Sequence, residues 1–136
     1  MTLIIDGHQD IAYNALTFGR DIRRSALETR QREANTWIPT VTGETLLGWP
    51  EYQQAQVGLI FATIFLTPAR YKAGDWENQA YTTPEEGRRL ARAQLAWYRD
   101  LFEREPDLFR PVASRSDLEA VLREGARRAV DHRLER

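Results

Sequence analysis

The sequence contains no cysteine. Disulfide scaffolds, thiolate zinc sites and cysteine nucleophiles are therefore excluded. It also lacks an excess of either charge: 19 Lys and Arg side chains stand against 20 Asp and Glu, a formal charge of -1. A protein that holds nucleic acid through its phosphates needs a basic excess, so no nucleic-acid partner is expected. No run approaches the ~18 apolar residues of a membrane span. The longest, Val57 to Leu66, is strand-length and broken by Thr63, so no membrane span is expected either. The opening Met1-Thr2-Leu3-Ile4-Ile5-Asp6 has no basic region, apolar stretch or small-residue cleavage site of a secretory signal. A cytoplasmic location is the expectation. Histidine is scarce, with only His8 and His132. Lysine is scarcer: Lys72 stands alone among 18 arginines, a bias read as genome composition rather than a role.

What remains is enough to bury a core. Of 136 residues, 42% are hydrophobic and 29% charged, the balance of one globular domain or a piece of a larger one. Leu3-Ile4-Ile5 is a short apolar run without polar alternation, as in a strand covered on both faces. It leads into Asp6-Gly7-His8-Gln9-Asp10. Residues 11 to 35 turn polar and fit helix or ordered loop. Trp37 to Pro50, with two prolines and two glycines, reads as a long loop.

Val57 to Leu66 is the strongest strand signal, stopped by Thr67-Pro68. An irregular stretch, Ala69 to Thr83, follows. Thr83-Pro84-Glu85-Glu86 then has the grammar of a helix start: a capping Thr, Pro at the first position, acids in the first turn. Leu90, Trp97 and Leu101, widened by Ala91, Leu95, Tyr98 and Phe102, form the apolar stripe of a helix from Pro84 to about Glu103. Leu108 to Ala113 reads as extended. Ser116-Asp117-Leu118-Glu119 reads as a second capped start, with Leu118, Val121 and Leu122 on the apolar face. That helix ends at Gly125 or continues through Val130, before a charged, frayed tail from Asp131 to Arg136. Strands alternating with helices argue for α/β architecture with a parallel sheet.

His8 and Asp10 are the sharpest chemical candidates. On a strand, residues i and i+2 share a face, so imidazole and carboxylate would project together. The carboxyl end of a strand is where α/β folds place their sites. Neutral imidazole and carboxylate suit zinc. Asp6, of the same parity, would support the histidine or cap the following turn. Taken alone the pattern is short, and a strand-end turn has the same letters. Trp97 and Tyr98 read as packing residues, and the Arg23-Arg24 and Arg127-Arg128 pairs as solvated helix faces. Trp37, Trp49 and Trp76 fall in loops. His132 reads as a solvent-exposed tail residue.

Ile4-Ile5-Asp6-Gly7-His8-Gln9-Asp10-Ile11 resembles the opening of the membrane (renal) dipeptidase family, within the amidohydrolase superfamily. Pro50 followed by Val57-Gly58 and an apolar strand is similar to that family's entry to its second barrel strand. Arg88-Arg89, Glu105-Pro106-Asp107-Leu108-Phe109, Ser114-Arg115-Ser116-Asp117-Leu118 and Ala120 to Gly125 resemble the stretch before its third strand. The resemblance implies a (β/α)8 barrel with a two-zinc site that cleaves dipeptides. It also implies that His8 and Asp10 ligate one zinc. The family's bridging Glu, two further His and a late Asp come from later strands and have no counterpart here. Two departures bear on the substrate: Gln9 where the family has Asn, and Ala55-Gln56 where it has Gly-Gly.

A full barrel needs ~250 residues, so residues 1–136 are expected to be the N-terminal part of such a domain, inactive alone. The expected partners are a dipeptide or related amide substrate and a homo-oligomer or complementing C-terminal chain. Two other functions fit the same residues. One is a non-catalytic α/β interaction module in which Asp-Gly-His is only a turn. The other is an amidohydrolase of the same architecture acting on a different amide.

Overall fold

β-Branched Ile4 and Ile5 favour extended backbone, and the strand they open, β1 (Ile4–Gln9), runs on past His8. It is longer than the apolar run because its polar half is also paired. The structure is a computed structural model that describes residues 3–134, with side chains through residue 124. Asp10 turns the chain into α1 (Ile11–Phe18), which ends at Gly19 with φ 68°. A glycine is suited to that left-handed cap. The polar stretch that follows is helical in part: α2 (Ala26–Glu33) starts where the Ser25 hydroxyl accepts the Glu28 amide. The stretch read as a long loop holds two short helices, α3 (Ile38–Thr42) and the start of α4 (Trp49–Gln54), each with proline in its first turn.

The second strand, β2 (Val57–Ala62), is shorter than its apolar run. It pairs parallel with β1, Ile4 against Val57 and Gln9 against Ala62, with irregularities after Ile4 and Asp6. Beyond Ala62 the chain leaves the ladder, and the Thr63 amide closes it on the Gln9 carbonyl at 2.9 Å. Gln56, just before β2, has φ 58°, the left-handed region. Glycine is the residue that reaches this conformation without strain. A small second pair, β3 (Thr67–Pro68) and β4 (Ala80–Tyr81), is also parallel.

The expected helix is present as α5 (Pro84–Arg104), with a reciprocal capping box between Thr83 and Glu86. Its buried face is Gly87, Leu90, Gln94, Tyr98 and Leu101, whereas Leu95 is exposed. Leu90, Tyr98 and Leu101 of the expected stripe are buried as expected; Leu95 is not, because Gln94 takes the core place. Its amide satisfies the Phe65 backbone on both sides, donating to O at 2.7 Å and accepting from N at 3.0 Å. The last helix, α6 (Arg115–Leu134), begins one residue before Ser116. Its cap is Ser114, whose hydroxyl accepts the Asp117 amide while Asp117 accepts the Ser114 amide. Gly125 does not end it. Leu108 to Ala113 forms no strand. The side chains of Arg127, Arg128 and His132, and the end of the charged tail, lie outside what is described.

The architecture is thus mixed α/β, with two short parallel strand pairs and six α-helices among the described residues. The buried hydrophobic residues are Ala12, Tyr13, Ala26, Ile38, Tyr52, Leu90, Tyr98 and Leu101; α1 packs on α5, and α4 on β2. Elsewhere on and near the sheet Ile4, Ile5, Phe61, Ile64 and Phe65 stay exposed. No helix among the described residues is long and apolar enough to cross a membrane.

Candidate functional site

The carboxyl end of β1 brings His8 and Asp10 together. His8 Nε2 lies 3.4 Å from each carboxylate oxygen of Asp10. The imidazole is 68% exposed and the carboxylate 28%. The pair is therefore open to solvent on one side and anchored on the other.

The anchor has two parts. Asp6 lies beneath the pair, and its carboxylate accepts the His8 amide at 3.2 Å and the Gln9 side-chain amide at 2.8 Å. The phenol of buried Tyr52 reaches it at 3.4 Å. Asp6 thus caps the strand end and does not touch the His8 ring. Burial, then the Asp6 charge, pushes the Tyr52 phenol above its ordinary pKa, so it stays a donor. On the other side the Thr63 hydroxyl donates to Asp10 Oδ1, while both carboxylate oxygens stay equally near His8. Thr63 is itself held: Tyr98 OH donates to its carbonyl at 2.9 Å and accepts the Ala12 amide at 3.1 Å. Burial raises the Tyr98 pKa as well.

As donors for zinc, one imidazole and one carboxylate oxygen have the right chemistry but fall short of the three protein ligands of a catalytic site. Among the described residues, no group of three or more His, Cys, Asp or Glu side chains is placed to hold a metal. Asp6 is turned away onto Gln9 and Tyr52. The residues present fit part of a metal site.

Beside Asp10 opens a cleft of about 230 Å³ between α1 and the segments 20–22 and 44–47. One lining residue, Arg20, belongs to a part-buried ion pair that sequence reading missed. Arg20 grips Glu33 with two bonds, 2.8 and 2.9 Å, and adds Asn14 and Thr42 at 2.9 Å each. Thirteen residues separate Arg20 from Glu33, and no local pattern announces such a pair. Thr63 did carry a signal, as the lone hydroxyl in an apolar run. The loop tryptophans divide. Trp37 and Trp76 cluster with Phe18 at centroid distances of 5.6–6.2 Å, and Trp49 packs on Phe109. None of the three lines the cleft.

Compared with known proteins, the chain matches no family model, no curated protein and no solved structure.

Proposed function

We propose that the chain belongs to a zinc-dependent hydrolase of the membrane dipeptidase type, a (β/α)8 barrel to which these residues contribute the first two strands. The observation that carries the reading is the convergence of His8 Nε2 and the Asp10 carboxylate at the carboxyl end of a strand in a parallel pair. His8 and Asp10 would hold one zinc of the site, with the remaining donors supplied from outside the described residues. Zinc, when bound, lowers the pKa of its water and polarises an amide carbonyl. Asp6 and Tyr52 keep the His8 backbone fixed. The Thr63 hydroxyl holds one Asp10 oxygen and so limits the rotation of the carboxylate.

The test is zinc titration followed by the His8 ring resonances, in the wild type and in His8→Ala and Asp10→Asn. Weak binding in the wild type that both variants abolish is expected. No response in the wild type, or an equal response in Asp10→Asn, refutes the reading. The chain by itself should not turn over a dipeptide. Zinc-dependent turnover by a verified monomer would show that the site is complete without outside donors.

A further inference from the structure

The cleft beside Asp10 has an uneven character. Four of its lining residues are apolar, Ile11 on α1 and Ile22, Leu46 and Leu47 on the facing segments. Leu46 is 72% exposed and Leu47 37%, so two leucines stand in water along one rim. The loop that carries them is not free to fold over. Trp49 N bonds Ile22 O at 2.7 Å, and a Cβ on Gly48 would lie 1.9 Å from Arg24 O. The backbones of the two rims are thus locked side by side, and only glycine fits that approach.

The charged groups lining the cleft are Asp10, Arg20, Asp21 and Glu44. Arg20 is the one cation. Four of its five N–H groups are already bonded, two of them to Glu33. Its charge is neutralised inside the protein. Asp21 is gripped by Arg23 through both oxygens, and Glu44 lies 3.6 Å from Arg30. Asp10 alone faces the cleft without an arginine or lysine partner. A carboxylate entering here would meet Asp10 and find no free cation. An apolar group would cover Leu46 and Leu47.

We infer that this cleft binds the uncharged, apolar side chain of an amino-acyl amide and rejects an acidic one, with the Arg20–Glu33 pair setting that choice. The inference rests on the proposed function, since it makes the cleft the specificity pocket beside the His8–Asp10 pair. The volume suits one residue rather than a larger cofactor.

The experiment uses two uncleavable probes, the amide of N-acetyl-leucine and the α-amide of N-acetyl-glutamate. Each is titrated into the labelled full chain with a chelator present, and backbone amide resonances are followed. The leucine probe should shift Ile22, Leu46 and Leu47 and bind about tenfold more tightly than the glutamate probe. Leu47→Ser should weaken the leucine probe. Glu33→Gln should release the guanidinium charge and narrow or reverse the preference. Equal binding of the two probes, or shifts that avoid the cleft, would overturn the inference. If Glu33→Gln fails to fold, the wild-type comparison and Leu47→Ser still decide it. Because no metal is present, failure here is separate from failure of zinc to bind at His8 and Asp10.

Discussion

Glu77 is a carboxylate at 5% exposure in a chain that reads as irregular on either side of it. Its Oε1 accepts the Tyr13 phenol at 3.1 Å and the Thr67 hydroxyl, and its Oε2 accepts the Ala73 amide at 2.8 Å. It therefore ties α1, β3 and the following turn to one point. Glu77→Gln keeps the shape and one acceptor oxygen, which can serve the Ala73 N–H or the two hydroxyls but not all three. A hydrogen bond to a charged group is lost and a buried donor is left unpaired, so we expect a loss of about 2–4 kcal/mol. Against a total of ~5–15 kcal/mol this is large, a drop on the order of 10 °C in Tm. The pH dependence has a definite sign. Burial pushes the Glu77 carboxyl up, but the bonds from Thr67, Ala73 and Tyr13 outweigh it and hold the pKa below its ordinary 4.5. The stabilisation is therefore full above that ordinary value and lost as pH falls through the folded one. Urea denaturation of both proteins, from neutral pH down to about pH 3, reads the gap directly. A gap under about 0.5 kcal/mol at neutral pH, within the range of ordinary surface substitutions, would refute the reasoning. So would a gap that does not shrink on acidification.

Other expectations follow from the same geometry. Thr63→Val removes the hydroxyl that orients Asp10 and should weaken zinc at that site by roughly tenfold or more. Thr63→Ser should restore it, and a Val variant that binds like the wild type would remove Thr63 from the site. Gln94→Leu fits the core by size but leaves the Phe65 amide and carbonyl unpaired, a loss of about 2–4 kcal/mol measurable by chemical denaturation. Phe61→Lys on the exposed face of β2 should leave the melting temperature within about 2 °C, as surface changes do, and reduce self-association in sedimentation. A large fall in Tm would mean that Phe61 is covered in solution.

The parts of the fold that were legible in the sequence are those with local causes. Thr83-Pro84-Glu85-Glu86 begins a helix because cap, proline and acids act within one turn, and the expected start is the observed one. Val57 to Ala62 is a strand because of its own β-branched and aromatic content. The nearness of His8 to Asp10 comes from their spacing, but Asp10 lies just beyond β1 and its carboxylate is held by the distant Thr63. What was hidden depends on partners far along the chain. Gln94 displaces Leu95 from the core only because Phe65 presents a bare amide and carbonyl to it. Arg20 is held half-buried because Glu33, Asn14 and Thr42 converge on it from three helices. Ser114 caps α6 ahead of Ser116 because Asp117, not Glu119, returns the bond.

The parallel pairing of β1 with β2 also sets a timetable. The Gln9 carbonyl waits for Thr63, 54 residues later, and the Ala12 amide waits for Tyr98, 86 residues later. At ~5–20 residues per second of synthesis, the first strand exists for several seconds before its neighbour has been made. It waits longer still for the tyrosine that locks the turn after Asp10. During that interval Ile4 and Ile5 have no ladder to join, and a nascent chain in this condition is a natural client for a chaperone. The same separation places the final closing of the His8–Asp10 end late in folding, since loop closure over such distances must precede the contacts that reward it.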